Sequence, residues 1–303
     1  MYCYRLVGSF GEAEDLVQDT LARAWRADTE PDETTVRAWL YKIATNLCID
    51  HLRRRGRRRV LPFDVLDPAF SQADLAAPDA EHLWIEPFPN SVISHPGEDP
   101  GEEVIHRETI ELAFITAVQQ LPILQRVVFI ARDVMGWSTR ATSILLDSSE
   151  PAVKSAIQRA RRAMRERLPR RREEWTRTTG MSDTELSVVH RYIEAHQSGA
   201  VELADVLAAD VRVAYPAIPV WSNSRDAFIE ATRELAPPGE VHLVPASANL
   251  QPAVAIYLRP PGEPAFTLVA LELLRIKAGR ITEIIDFDAS QLPVEFGLNH
   301  ALT

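Results

Sequence analysis

The sequence predicts a multidomain protein in which two all-α domains are followed by an α+β domain with a curved antiparallel sheet. Two stretches of helical periodicity are separated by a proline-rich acidic segment, and from about residue 182 strand-like alternation follows short helices. The length of 303 residues suffices for two or three domains that each bury a core. These observations together define the expected fold class.

Charge is distributed unevenly along the chain. The formal net charge is −10, yet residues 1–59 sum to +2, residues 60–105 to −10, residues 106–180 to +6 and residues 181–303 to −8. The total would argue against nucleic acid as a partner, but the two basic blocks reverse that inference. Blocks of opposite sign predict that different parts of the chain have different partners.

Composition and motifs exclude several classes of protein. Cys3 and Cys48 are too few for a disulfide framework or a four-ligand zinc site, which favours a reducing cytoplasm. No apolar stretch of about 18 residues predicts a membrane span, and the N-terminus lacks the layout of a signal peptide. The chain also lacks a CxxC pair, a phosphate-loop glycine pattern and an HExxH motif, so we expect neither a metal nor a cofactor.

The first all-α domain is predicted over residues 1–59. An amphipathic helix covers 11–27, and after a polar loop Thr34 or Thr35 is a plausible N-cap for a second helix over 36–55. The apolar face of the first helix consists of Ala13, Leu16, Val17, Leu21, Ala24 and Trp25.

The second helix ends in a run of six arginines, Arg53–Arg55 and Arg57–Arg59. Such a run suits the negative end of the helix macrodipole and can simply be solvated. Phosphate contacts explain so dense a run better. Trp39 and Tyr41, upstream, offer faces on which unpaired bases can stack, and core packing is the alternative for Trp39.

Residues 60–107 are predicted to be an acidic linker. Seven prolines between 60 and 105, and ten acidic side chains without any lysine or arginine, favour an extended chain. The segment 83–89 differs, because it places Trp84, Ile85 and Phe88 in a polar stretch. Water would penalise this cluster if it were exposed, so we favour docking that anchors the linker over incidental packing.

The second all-α domain is predicted over residues 108–178. Helical periodicity covers 108–120 and 123–134, Ser138 caps a short helix, and a turn at 147–149 leads into a long basic helix. Two helices joined by a three-residue turn, the second rich in arginine, are typical of a helix-turn-helix. A protein-docking surface is the alternative for the basic helix.

The C-terminal α+β domain is predicted over residues 182–299. Because helices come first and an antiparallel sheet follows, a cone-shaped domain is expected. Turns at 260–263 and 277–280 join the last three strands as hairpins. The predicted helices are 184–197, 203–209 and 225–235, and the predicted strands are 210–215, 252–259, 265–277 and 280–288.

The first helical stretch resembles region 2 of the extracytoplasmic-function (ECF) sigma-70 factors. The runs EDLVQDT at 14–20 and RAWLYKIATNL at 37–47 occur at the family's spacing. In that family the acidic helix docks on the β′ clamp helices of bacterial RNA polymerase, which implies Asp15, Gln18 and Asp19 as polymerase contacts. The second helix and the loop before it open the −10 promoter element. The implied DNA contacts are loop 28–35, Trp39, Tyr41, Asn46, Asp50, Arg53, Arg54 and Arg55.

The helix-turn-helix resembles sigma-70 region 4, through GWS at 136–138 and AVKSAIQRAR at 152–161. That region reads the −35 element, and the family implies the polymerase β flap as a further partner. Asp147 stands where the family usually has glycine, but aspartate tolerates a left-handed backbone, so we expect the turn to survive. By position, Val153, Lys154, Ser155 and Gln158 would approach base edges, and Arg159, Arg161 and Arg162 would contact phosphates.

The resemblance also implies a longer first helix than one that opens at Met1, and we therefore favour a start farther upstream. The C-terminal domain resembles, more loosely, the SnoaL-like (polyketide cyclase-like) domains, through VVHRYI at 188–193 and GRITEIIDF at 279–287. Such domains enclose an apolar pocket, which is catalytic in some members, and as an extension of ECF sigma factors they are thought to regulate the sigma core. Candidate pocket residues are His190, Tyr215, Trp221, Tyr257, Asp286 and Asp288.

These features predict a cytoplasmic sigma factor that binds core RNA polymerase and promoter DNA, without membrane contact or enzymatic activity. Its C-terminal domain would bind a small-molecule ligand or contact the sigma core. The first alternative is a helix-turn-helix regulator with a ligand-sensing domain, and the second is a SnoaL-like isomerase or cyclase tethered to DNA-binding helices. The acidic helix and the arginine-rich helix favour the sigma factor, since a repressor needs neither.

Overall fold

A computed structural model describes residues 1–27, 35–68, 82–93, 110–168, 181–198, 202–218, 220–234, 237–290, 292 and 294–302. The chain divides into two compact units, of which the first comprises Met1–Val60 and Gly97–Arg177 and the second Leu61–Pro96 and Thr178–Thr303. Residues of both predicted helical domains therefore belong to the first unit, and much of the predicted linker belongs to the second. No helix of the described residues is long and apolar enough to span a membrane.

The first unit is helical. The helices expected at 11–27, at 36–55 and after Ser138 are confirmed. Of the helix expected at 108–120, residues 108–109 lie outside the described residues, Ile110 and Glu111 are not helical, and Leu112–Gln119 is helical. A π-helical segment, Ile130–Val134, continues the helix that ends at Phe129, and Arg59–Val60 forms strand β1. The helices are α1 Tyr2–Val7, α2 Phe10–Trp25, α3 Val36–Arg55, α4 Leu112–Gln119, α5 Ile123–Phe129, α6 Thr139–Leu145 and α7 Glu150–Arg167.

Helix α1 is buried along its whole length, Arg5 included. It ends at Gly8, whose φ of 76° favours glycine, and a Cβ there would lie 3.2 Å from the side chain of Gln119. Ser9 then caps α2 by accepting a hydrogen bond from the backbone N–H of Glu12. Thr35 occupies the N-cap position of α3, but its side chain makes no capping hydrogen bond there.

Helices α6 and α7 form the predicted helix-turn-helix. The hydroxyls of Ser138 and Ser149 each accept a hydrogen bond from a backbone N–H three residues further on. Asp147, in the turn, has a φ of 47°, which confirms the expected left-handed conformation. Thr142 and Ser143 are buried in α6, and their hydroxyls donate to backbone carbonyls of the same helix segment.

The second unit contains an α+β domain. Six strands follow the order β4-β3-β8-β7-β6-β5, with β9 added beside β7, and all neighbours are antiparallel except β3 and β8. The helices are α8 Asp183–Gln197, α9 Leu203–Val206 and α10 Arg225–Glu234. The strands are β2 Leu83–Trp84, β3 Leu207–Tyr215, β4 Val220–Ser222, β5 Glu240–Ala248, β6 Gln251–Arg259, β7 Phe266–Lys277, β8 Arg280–Asp288 and β9 Ala301–Leu302.

The core of this domain lies between α8–α10 and the sheet, and includes Tyr192, Phe228 and Leu274. The three long strands and both hairpin turns are confirmed, but β4 and β5 were not predicted. Strand β5 is an edge strand that contains Pro245 and is mostly exposed, so it lacks the apolar alternation that marks a strand in sequence.

The segment 83–89 of the predicted linker packs on this domain. Ile85 and Phe88 are buried. The backbone N–H of Phe88 donates to Asn249 Oδ1 at 2.7 Å, and the N–H of Asn249 donates back to the Phe88 carbonyl at 2.9 Å. Segment 83–89 is therefore anchored to the β5–β6 hairpin, as the apolar cluster predicted.

Candidate functional site

The exposed side of α2 combines acidic and apolar side chains. Asp15, Gln18 and Asp19 are all exposed. The predicted apolar face is only partly correct, because Ala13 and Leu16 are buried against α1 and α3 whereas three other members are not. These exposed members are Val17, Leu21 and Trp25, and Trp25 is 91% exposed.

Glu12 links α2 to the arginine run. Its carboxylate accepts a hydrogen bond from Arg55 Nη1 at 2.6 Å and lies 3.0 Å from Arg59 Nη2 and 3.2 Å from His51 Nε2. Burial alone would raise the pKa of Glu12, but Arg59 and Arg55 outweigh it and hold that pKa below its ordinary value. Helical periodicity gave no sign of this cluster, which depends on where α3 ends in space.

The cluster formed by Glu12, His51, Arg55 and Arg59 separates the arginine run into inward-facing and exposed members. The side chains of Arg55 and Arg59 turn inward and are only 11% and 9% exposed. In this conformation Glu12 already holds the guanidinium of Arg55 in a partly buried ion pair, so Arg55 stays a prediction as a DNA contact and is a weaker candidate than its exposed neighbours. The candidates that remain exposed are Asn46, Asp50, Arg53 and Arg54, with Arg57 and Arg58 beside them.

The two aromatic candidates on α3 differ in their surroundings. The ring of Tyr41 lies edge-to-face between Tyr2, at 5.0 Å, and Trp137, at 5.2 Å. It is thus enclosed by other aromatic rings instead of offering a face to a base. Trp39 is half-buried, and residues 28–34 of the candidate loop lie outside the described residues.

Polar contacts join the helix group α1–α3 to the helix group α4–α7. Lys42 Nζ lies 2.8 Å from Asp147 Oδ1, in the turn of the helix-turn-helix. Arg126 is buried and donates to the carbonyl of Leu6 at 2.6 Å and to the carbonyl of Gln119 at 2.7 Å. The amide of Gln119 also donates to Leu6, at 3.3 Å. The two groups therefore form one closed helical unit.

The base-edge candidates on α7 do not share one environment. Val153 is 1% exposed, because its side of the helix packs against α5. The prediction that Val153 reads a base edge is therefore wrong, since its side chain belongs to the core. Lys154, Ser155 and Gln158 are exposed.

The three arginines of α7 that are candidate phosphate contacts, Arg159, Arg161 and Arg162, are exposed, and each has an intramolecular partner. Arg161 donates to both carboxylate oxygens of Asp133, at 2.8 and 2.7 Å, and this pair raises its pKa. Arg159 donates to Ser155 Oγ, and Arg162 lies 3.2 Å from Glu166. Of these three arginines, Arg161 is therefore the one most strongly held within the protein, by two hydrogen bonds to a carboxylate.

The α+β domain encloses a cavity of about 450 Å³ beneath α8 and α10. Apolar side chains form most of the wall, and the polar lining residues include Glu272 on β7, Asp286 on β8 and His196 on α8. Glu272 and Asp286 are direct partners across the β7–β8 ladder, so their side chains share one face of the sheet. Tyr192 donates to Glu272 Oε2 at 2.9 Å.

The ionisable side chains that line this cavity have pKa values that differ from those of the same groups in water. Burial, with the neighbouring Asp286, raises the pKa of Glu272 to about 8, and burial with Asp288 raises the pKa of Asp286 to about 7. Burial lowers the pKa of His196 to about 4, so its imidazole is neutral near pH 7. In the described part of the chain, no group of three or more His, Cys, Asp or Glu side chains is placed so that it could hold a metal ion.

Only two of the six predicted pocket residues, Tyr215 and Asp286, line the cavity. His190 and Asp288 are exposed, and Tyr257 is buried elsewhere in the sheet. Trp221 instead donates its indole N–H to the carbonyl of Leu66 at 2.9 Å, which fastens the start of the linker. Sequence reasoning missed Glu272, Tyr192 and His196, although one carboxylate within the apolar run 268–274 was a usable signal.

Comparison with known proteins identifies the family. Residues 1–58 match the sigma-70 region 2 model, and residues 111–164 match the sigma-70 region 4 model. The chain is 32% identical over 306 residues to the ECF RNA polymerase sigma factor SigG of Mycobacterium tuberculosis, an alignment that covers 99% of this chain and 81% of SigG. The chain belongs to the ECF RNA polymerase sigma factors. Sigma factors of this kind bind core RNA polymerase and promoter DNA and are not enzymes.

Other relatives agree with this assignment. SigW of Bacillus subtilis is 28% identical to this ECF sigma factor over 167 residues, which cover 55% of this chain and 80% of SigW. The crystal structure of the M. tuberculosis ECF sigma factor SigJ covers 98% of this chain and 93% of its own, with a TM-score of 0.58 and 19% identity. The predicted fold class, two helical sigma regions followed by an α+β domain with a curved, mainly antiparallel sheet, is confirmed.

Proposed function

We propose that this sigma factor binds polymerase through the exposed side of α2, binds promoter DNA through α3 and α7, and is regulated by its SnoaL-like domain. It would act in the cytoplasm and carry out no catalysis. The observation that supports the proposal best is that one helical unit presents both an acidic and apolar α2 surface and a basic helix-turn-helix. The β′ clamp helices are the proposed partner of α2, and the β flap is a further polymerase contact of region 4.

Reversing charge on α2 should abolish most transcription. We expect the double variant Asp15→Lys, Asp19→Lys to give at least about tenfold less run-off transcript with purified core polymerase, because like charges would face each other across the interface. The matched control, Glu230→Lys with Glu234→Lys on α10, changes the net charge equally and should transcribe normally. Full transcription by the α2 variant, or DNA binding without any polymerase-dependent transcription by the wild type, would contradict the proposal.

The proposed −35 contacts rest on the exposed side chains of α7. Lys154, Ser155 and Gln158 would reach base edges, while Arg159 and Arg162 would contact phosphates. Arg161 is a weaker candidate, because Asp133 already holds its guanidinium by two hydrogen bonds.

Arg162 and Arg161 should differ in their effect on salt dependence. We expect Arg162→Gln to reduce, by up to about one unit, the slope of a plot of the logarithm of the promoter-binding constant against the logarithm of the salt concentration. Arg161→Gln should reduce this slope less. Titration of a promoter fragment with the reconstituted holoenzyme across a range of KCl concentrations measures both. Arg191→Gln, on α8, is the control. An unchanged slope for Arg162→Gln would remove that arginine from the DNA interface.

The closed helical unit must open for the proposed function. The −10 and −35 elements lie about 25 base pairs apart, roughly 85 Å along B-DNA. In the closed unit Lys42 of region 2 lies 2.8 Å from Asp147 of region 4, so the two regions cannot reach both elements at once. Opening would also release Tyr41 from Trp137. We therefore propose that the closed unit is an inactive conformation of the free protein.

A further inference from the structure

The cavity of the SnoaL-like domain has the size of a small-ligand site and a marked charge asymmetry. Its volume is about 450 Å³, within the range of sites that bind small organic molecules. Two carboxyl groups, Glu272 and Asp286, reach it, while no lysine or arginine is found among its described lining residues. An apolar enclosure with acidic groups and no basic partner is electrostatically incomplete.

The acidic groups are held side by side. Glu272 and Asp286 face each other across β7 and β8, and two carboxylates so placed cannot both be ionised without a counter-ion. Tyr192 supplies one hydrogen bond to Glu272 Oε2, which leaves further lone pairs on both carboxyl groups. His196, on the cavity wall, has a buried Nε2 without any hydrogen-bond partner within the described residues.

We propose that this cavity binds a small organic ammonium ion, with an apolar body and a single amine. A primary ammonium has three N–H donors, for which the adjacent carboxyl groups of Glu272 and Asp286 offer acceptors, and His196 Nε2 is a further acceptor on the wall of the same cavity. Its positive charge would neutralise the carboxyl pair. Its apolar part would lie against Leu243, Ile256 and the ring of Phe228. A carboxylic acid ligand would instead add a third negative charge.

The ionisation of the lining supports the same ligand class. At neutral pH the imidazole of His196 is uncharged and can accept a hydrogen bond from the ammonium, since its pKa is lowered to about 4. The other titratable groups that face the carboxyl pair are Tyr192 on α8, Tyr215 on β3 and Asp288 on β8, and none of them is cationic. Within the part of the chain that the structure describes, no cation neutralises the acidic pair, so an incoming cation, or protons, must do so.

Calorimetric titration of the full-length protein with three matched probes tests the proposal. We expect phenylbutylamine to bind, phenylbutanol to bind at least about tenfold more weakly, and phenylbutyrate not to bind measurably. Equal affinity for the amine and the alcohol would overturn the ammonium assignment in favour of a neutral ligand. Preferred binding of the butyrate, or no binding by any probe, would also overturn it.

Variants and pH locate the site. Asp286→Asn and Glu272→Gln should each weaken amine binding at least about tenfold, whereas Glu263→Gln, in an exposed turn, should leave it unchanged. Glu272→Gln keeps an acceptor for Tyr192, so the thermal unfolding curve checks that the fold is retained. Because protonation discharges the pair, affinity should fall about tenfold from pH 8 to pH 6. Unchanged affinity in both variants, or affinity that rises as the pH falls, would place the amine elsewhere.

A regulatory role for this ligand rests on the proposed function, and a separate measurement tests it. Run-off transcription with and without phenylbutylamine should differ for the wild type and not for Asp286→Asn. Unchanged transcription together with intact amine binding would overturn the regulatory role and leave the ammonium site standing. Loss of binding with normal polymerase-dependent transcription would overturn the site and leave the sigma function standing.

Discussion

Replacing Arg126 with methionine should lower the free energy of unfolding of the helical unit by about 3–4 kcal/mol, because several buried acceptors lose their donor at once. Arg126 is 2% exposed, and its guanidinium donates to the carbonyls of Leu6, Gln119 and Leu121 and to the side chain of Gln119. Methionine has a similar length but no donor. Several buried acceptors would therefore lose their hydrogen bonds together.

Hydrogen–deuterium exchange of peptides from α1 and α5 measures this loss within the helical unit alone. The expected destabilisation corresponds to roughly 100- to 1,000-fold faster exchange of the slowest amides. Arg126→Lys should also be strongly destabilised, because an ammonium cannot reproduce the fork of a guanidinium. Arg165→Ala, on the exposed side of α7, should change stability by less than about 0.5 kcal/mol. If the slowest amides exchanged as slowly in Arg126→Met as in the wild type, the buried arginine would not be what holds the unit closed.

Local signals in the sequence predicted most of the secondary structure. Ser138 and Asp147 lie where side-chain chemistry alone decides the backbone, so the start of α6 and the turn after it could be predicted. The docking of Phe88 was also predictable, since a large apolar side chain in an acidic, proline-rich stretch requires a partner. Strand β5 was not, because at the sheet edge a strand need not alternate.

The roles of individual side chains depended on distant partners and could not be predicted in this way. Arg55 and Arg53 are indistinguishable in sequence, but only Arg55 meets Glu12, which is 43 positions away. Val153 lies in a basic helix whose exposed side carries the candidate contacts, and only the packing of α5 shows that this valine faces inward. The same holds for the cavity, since Glu272 gains its importance from Asp286 across the hairpin.

A reversible cross-link between regions 2 and 4 should abolish transcription and cleavage of the cross-link should restore it. Lys42→Cys and Ser148→Cys place thiols beside the contact between Lys42 and Asp147, and Ser148 is chosen because a cysteine at Asp147 would have to adopt a left-handed backbone. A bismaleimide that contains a disulfide would bridge them. The two native cysteines are buried, which limits their reaction with the reagent.

We expect the cross-link to remove nearly all run-off transcription, because a bridged protein cannot span the roughly 85 Å between the two promoter elements. Run-off transcription is measured before bridging, after bridging and after reduction, with each single-cysteine variant carried through the same treatment as a control. A bridged protein that transcribes at the unbridged level would show that the closed unit is compatible with promoter binding. If bridging removes transcription but leaves core-polymerase binding intact, the contact between regions 2 and 4 acts on DNA recognition, since α2 remains exposed in the closed unit.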